Sequence, residues 1–141
     1  MYKKIIEKFH NPDLAILFLR IAVGIVFMNA GWQKIQNMEG VIAFFASFGL
    51  ASYLAYFVTY IEFIGGIFIL LGVFSQYFAF ILAIDMVVAT IKVHFVNGFS
   101  NIGGYEYTLM LFFILFTLFF LGDGKYSLTK LFKRKIKPST V

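Results

Sequence analysis

Long apolar runs alternate with short polar breaks along this chain, and four of them, Leu14 to Gly31, Leu54 to Phe74, Tyr77 to Val96 and Tyr105 to Leu121, read as continuous hydrophobic helix. A hydrocarbon layer about 30 Å thick needs about 20 mainly apolar residues to be crossed as helix, so each run predicts a membrane span. The breaks constrain the connections. Only Ser75-Gln76 separates the second and third runs, which predicts an antiparallel hairpin, and residues 97–104 form a turn-rich link without a charge. The link from Gln36 to Tyr53 carries Val41, Ile42, Phe44, Phe45, Phe48 and Leu50, yet is too short to cross and return. Two readings stay open for it: a short amphipathic helix in the interface, or a lid over a cavity. The expected fold is all-α, an antiparallel bundle of four transmembrane helices with a short interfacial helix between spans one and two. Residues 14–124 make the membrane domain, flanked by basic tails over 1–13 and 125–141.

Composition strengthens this reading. Of the 141 residues 61% are hydrophobic and only 13% charged, too few to build a water-facing surface. The 20 phenylalanines exceed what so small a soluble core could hide, so lipid must cover many of them. The net charge of +5 comes almost wholly from the two ends, with Lys3, Lys4 and Lys8 before the first run and Lys125, Lys130, Lys133, Arg134, Lys135 and Lys137 after the last. Basic clusters flanking apolar runs fit the positive-inside bias, which argues against nucleic-acid binding and for an even number of crossings with both termini cytoplasmic. The expected location is the bacterial inner membrane. The first run is expected to stay as a span, because the interfacial Gly31-Trp32-Gln33-Lys34 comes after it where a leader would carry a small-residue cleavage site. The chain has no cysteine, which excludes disulfides, thiolate metal sites and dithiol redox chemistry within it.

Ionisable residues inside the runs are the candidate chemistry, since a charge at the bilayer centre costs about 2.5–3.5 kcal/mol on insertion scales. At about 1.5 Å of rise per residue, Arg20 sits about 9 Å and Asp85 about 12 Å from the cytoplasmic side, which predicts a structural ion pair between them. Glu62 and Lys92 fall deeper, and Lys92 has Glu62 and Glu106 as candidate partners. His94 should look away from Asp85, on the opposite side of its helix. Lys34, Glu62, Lys92, His94, Asn97 and Glu106 gather toward the outer side in greater number than pairing requires, which marks them as candidate ligand-binding or proton-relay residues. No cluster has metal-ligand spacing, so no metal is expected. His10 and His94 flank opposite faces, so haem held between two histidines is not expected either.

Several short motifs resemble the DoxX family of small bacterial membrane proteins, over about Leu14 to Leu128. They are Arg20 early in the first run, Gly31-Trp32-Gln33-Lys34, Glu62 before Gly65-Gly66, Val93-His94-Phe95-Val96-Asn97-Gly98-Phe99, Gly103-Gly104-Tyr105-Glu106, and Gly122-Asp123-Gly124-Lys125-Tyr126-Ser127-Leu128. The resemblance implies a four-helix inner-membrane protein. Some members look like subunits of quinone-linked oxidoreductases, including a thiosulfate:quinone type, and others belong to membrane complexes against oxidative or thiol stress.

Two functional classes are compatible with these features. One is a redox-associated subunit that binds a quinone or other lipophilic small molecule non-covalently in an outer-facing polar pocket, at most one part of an oxidoreductase whose other subunits do the electron chemistry. The other is a non-catalytic membrane scaffold or small transport helper, with the amphipathic stretch Lys125 to Lys135 recruiting lipid or a partner. Faces rich in Phe and Leu suit lipid and a second copy of the chain equally.

Overall fold

The computed structural model describes residues 6–7 and 10–136, and every regular element among them is helical. Lys3, Lys4, Lys8 and Lys137, counted above among the flanking cations, lie outside the described residues. Helix α1 runs Pro12–Gln36 and opens on strong start signals. The Asn11 side chain accepts from the Leu14 N–H, Pro12 occupies the first turn where its missing donor costs nothing, and Asp13 faces the positive end of the helix dipole. A short helix α2, Met38–Ser47, starts on an equivalent cap from Asn37 and buries none of its residues. Helix α3, Ser52–Leu71, stops at Gly72, whose φ of 73° is left-handed.

The hairpin after α3 sits earlier than the hydropathy pattern predicts. Its connection is Gly72-Val73-Phe74, and Ser75 already belongs to α4, Ser75–Ala89. That helix continues through a π turn, Thr90–His94, and a 3₁₀ turn, Phe95–Asn97. Helix α5 covers Glu106–Leu121, and α6, Leu128–Ile136, is a short amphipathic helix rich in Lys and Arg. Three helical segments, Pro12–Gln36, Ser52–Leu71 and Ser75–Asn97, are long and apolar enough to cross a membrane, whereas α2 and α5 are shorter apolar helices.

Helix α1 packs mainly on α3 and α4 mainly on α5; α3–α4 and α5–α1 contacts close the ring. The interior is apolar, with Val23, Phe27, Ile69, Leu82, Leu115 and Leu118 almost fully buried. Outside, Phe18, Ile25, Phe57, Ile64, Phe80, Ile84, Phe113 and Phe120 are exposed, an apolar belt that suits lipid and not water.

Membrane helices associate through close backbone packing, and α1 and α3 achieve it with glycine. A Cβ on Gly31 would lie 2.5 Å from the Phe63 amide nitrogen, and one on Gly66 2.5 Å from that of Met28. Gly65 differs, because a Cβ there would meet only the side-chain ends of Leu82 and Phe78 at 3.2 Å. Gly66→Ala is therefore expected to cost about 1–3 kcal/mol by forcing two backbones apart, and Gly65→Ala clearly less. Apparent melting temperatures of the two variants in the same detergent check the order.

Candidate functional site

Two polar centres lie at opposite ends of the helices. At the end carrying both termini, Arg20 is buried to 1% exposure and donates only to carbonyls. Its Nε reaches Ile69 O at 2.9 Å, one terminal nitrogen reaches Leu70 O at 2.8 Å, and the other reaches Asp123 O at 3.0 Å and Tyr126 O at 3.1 Å. The first two carbonyls belong to the last turn of α3, at the negative end of the helix dipole, where Ile69 O also accepts from the Gly72 N–H. A guanidinium with five donors in a planar fork suits this place. Gly72 is needed beside it on two counts, its positive φ and the clash that a Cβ would make with the Arg20 guanidinium and Ser127. The same loop secures α4, since Asp123 Oδ1 accepts from the Ser75 N–H at 2.9 Å. Asp13 Oδ1 accepts from the Lys125 N–H at 2.9 Å and ties in the start of α1.

The second centre is a cavity of about 530 Å³ near the far end, walled by the later turns of α1, by α2, the first half of α3, the end of α4 and the start of α5. Its wall is mainly apolar, including Phe27, Val41, Phe44, Phe48 and Leu111. The polar side chains in it are few: Lys34, Asn37, Glu62, Asp85, Lys92, His94, Tyr107 and Thr108. Lys34 Nζ donates to Glu62 Oε2 at 2.5 Å, with the Glu62 side chain 4% exposed and that of Lys34 31%. The Asp85 carboxyl faces that of Glu62, and Asp85 Oδ2 is buried with no hydrogen-bond partner among the described residues.

His94 lies on the π turn. Its Nδ1 is 2.7 Å from Gly103 O, and because a carbonyl only accepts, Nδ1 carries the proton. In the neutral ring Nε2 is then an acceptor. Thr90 Oγ1 donates to Met86 O and pairs with Thr108 Oγ1 at 2.7 Å, fastening α4 to α5 beside the turn.

Four sequence-based expectations change. Arg20 and Asp85 form no pair: Arg20 serves the α3 terminus and the 123–126 loop, and Asp85 joins Glu62 and Lys34 in the cavity wall. The cause lies in the helix boundaries. Because α3 ends at Leu71 and α4 starts at Ser75, Glu62 stands nine residues and Asp85 ten from their shared hairpin, about 14 and 15 Å by helical rise. The long Arg20 side chain leans back toward the start of its own helix, as helical side chains do. Glu62 is taken by Lys34, and Lys92 makes no ion pair among the described residues. Glu106 and Asn97 do not line the cavity. Glu106 is exposed at the start of α5, and Asn97 Nδ2 donates to Gly103 O at 3.0 Å, bracing the same loop carbonyl as His94. His94 does line the cavity with Asp85, because the π turn inserts a residue and rotates the helix beyond it.

Tyr107 and the Thr90–Thr108 pair do not stand out in the sequence, and Asp123 stands out only as part of the Gly122–Leu128 motif, with no role attached. For its role a signal exists, since the Gly122-Asp123-Gly124 turn offers free carbonyls at the end where the helix of Arg20 starts.

The family model described as DoxX matches residues 15–95. The chain is 35% identical over 99 residues to CatD of Bacillus subtilis (strain 168), a protein provisionally named as an oxidoreductase, covering 70% of this chain and 74% of that one. It is 28% identical over 126 residues to the inner membrane protein YqjF of Escherichia coli (strain K12), covering 87% and 95% respectively. No solved structure matches.

Proposed function

This chain belongs to the DoxX family of membrane proteins, and from that premise we propose that its cavity receives the head of a quinone or similar lipophilic small molecule within a four-span antiparallel bundle. The inner-membrane relative and the three spanning-length helices support a bacterial inner-membrane location. Cations at the end carrying the termini support cytoplasmic tails, which puts the cavity on the outer side. Helix α5 is the fourth crossing; its 16 residues rise about 24 Å, and local bilayer thinning accommodates the shortfall. Helix α2 then lies in the outer interface and covers the cavity with Val41, Phe44 and Phe45.

The observation that carries the ligand reading is Asp85 Oδ2, a buried carboxyl oxygen without a donor in a largely apolar wall. Buried polar atoms take partners, and a quinol hydroxyl is a donor small enough for a cavity of this size. His94 adds an acceptor at Nε2, which suits it to take a proton from a quinol and not to donate to a quinone carbonyl. The Lys92 ammonium would balance negative charge left on the ligand oxygen. Lys34 offsets the charge of Glu62, the carboxylate that Asp85 faces. Electron transfer is assigned to a partner subunit, in keeping with the oxidoreductase name carried by one relative.

Mass spectrometry of lipid extracted from gently purified protein is expected to find a quinone. Titration with a short-chain quinol is expected to give binding about tenfold weaker in Asp85→Leu and in His94→Ala than in wild type. The scaffold or transport-helper reading draws support from the internal satisfaction of Arg20, Lys34 and Glu62. Equal quinol affinity in wild type, His94→Ala and Glu62→Gln, or no affinity in any, favours it.

A further inference from the structure

We infer that the basic end carries a binding site for the phosphate headgroup of an anionic phospholipid, between α6 and the loop that joins it to α5. A second cavity, about 600 Å³, opens there against Gln76, Leu121, Gly122 and Gly124. Lys125, Lys130, Lys133 and Arg134 line it, and none of the four makes an ion pair among the described residues. Asp13 and Asp123 also line it, but each carboxylate already accepts a backbone N–H, from Lys125 and Ser75. Four cations against two engaged carboxylates leave the cavity with an uncompensated positive charge.

A tail that only fixed topology would need no defined position, and α6 has one. Ser127 Oγ caps its start by accepting from the Lys130 N–H at 3.3 Å, and Ser127 is fully buried. Thr129 Oγ1 donates to Gly72 O at 2.9 Å, and Arg20 holds Tyr126 O one residue before the cap. Lys130, Lys133 and Arg134 therefore share one face, turned to the cavity, while Leu131, Phe132 and Ile136 are exposed on the other side. Exposed Phe74, Tyr77 and Tyr126 at the same end mark the level of a membrane interface. A basic face beside apolar side chains at that level fits a phosphate with its acyl chains lying along the exposed Leu121 and Phe120. This rests on the bilayer placement proposed above but not on the quinone reading, since the two cavities share no residue.

The test is native mass spectrometry of the full chain released from detergent containing equal phosphatidylglycerol and phosphatidylcholine, with inorganic phosphate as competitor. Wild type is expected to retain phosphatidylglycerol over phosphatidylcholine by about tenfold or more, and Lys130→Gln/Lys133→Gln/Arg134→Gln to lose that preference. The charge-retaining Lys130→Arg/Lys133→Arg/Arg134→Lys should keep it, and His94→Ala should keep it too, which separates this site from the outer cavity. No lipid preference in wild type, or an undiminished one in the glutamine variant with its lipid-free melting temperature intact, overturns the proposal. Displacement of phosphatidylglycerol by millimolar inorganic phosphate assigns the site to the free anion and overturns the lipid.

Discussion

Arg20→Ala is expected to destabilise the protein by about 3–5 kcal/mol, the range for removing one side of a buried charged interaction. The alanine leaves Leu70 O, Asp123 O and Tyr126 O without the donor they use, while Ile69 O keeps the Gly72 N–H, and each buried unsatisfied group costs about 1–3 kcal/mol where water cannot replace the partner. The loss also spreads. Asp123 caps α4 from the loop that Arg20 holds, so the start of α4 and the docking of α6 should loosen with it. Arg20→Lys is expected to recover less than half, since an ammonium has three donors on a point and cannot span four carbonyls. Unfolding of purified protein by stepwise addition of a denaturing detergent measures both. A midpoint for Arg20→Ala equal to that of wild type would show that these contacts carry no net stability.

Lys34→Met is expected to cost about 2–4 kcal/mol, more than Glu62→Gln at the other end of the same bond. The asymmetry comes from Asp85. Removing the lysine leaves two carboxyls facing each other with no cation bonded to either, whereas removing the charge of Glu62 lets Lys34 turn to Asp85. The partial exposure of Lys34 keeps the figure below that of a wholly buried pair. Lys34→Met combined with Glu62→Met should return most of the loss, because replacing a buried pair by packed apolar groups is often near neutral. The stabilities of wild type, Lys34→Met, Glu62→Met and the double variant form a double-mutant cycle, and strictly additive costs would mean that the two side chains do not act together.

The apolar runs gave away the helices, because a bilayer leaves little freedom in length or hydropathy. Lys34, Glu62, Lys92 and His94 can be gathered on paper since their depth comes from counting along a rigid helix. The same count misplaces Asp85 because it carries forward any error in where a helix begins, and Gly72 ends α3 three residues earlier than hydropathy suggests. A run of apolar residues does not reveal its own cap. The π turn at Thr90–His94 is equally hidden, as no residue type enforces it, and it is what turns His94 into the cavity. The loop motif around Asn97 and Gly103 reads as chemistry, yet much of it is bracing, with His94 and Asn97 sharing one carbonyl.

The lacing of one end has a mechanical consequence. Arg20, Asp123, Asp13 and Thr129 cross-link α1, α3, α4 and α6 near the hairpin at residues 72–74, while the cavity interrupts the packing at the opposite pole. Thermal motion cannot be shared evenly along such a body. Backbone hydrogen exchange is therefore expected to be slowest around the hairpin at 72–74 and to quicken toward the far tips of the helices, where opening meets the least resistance.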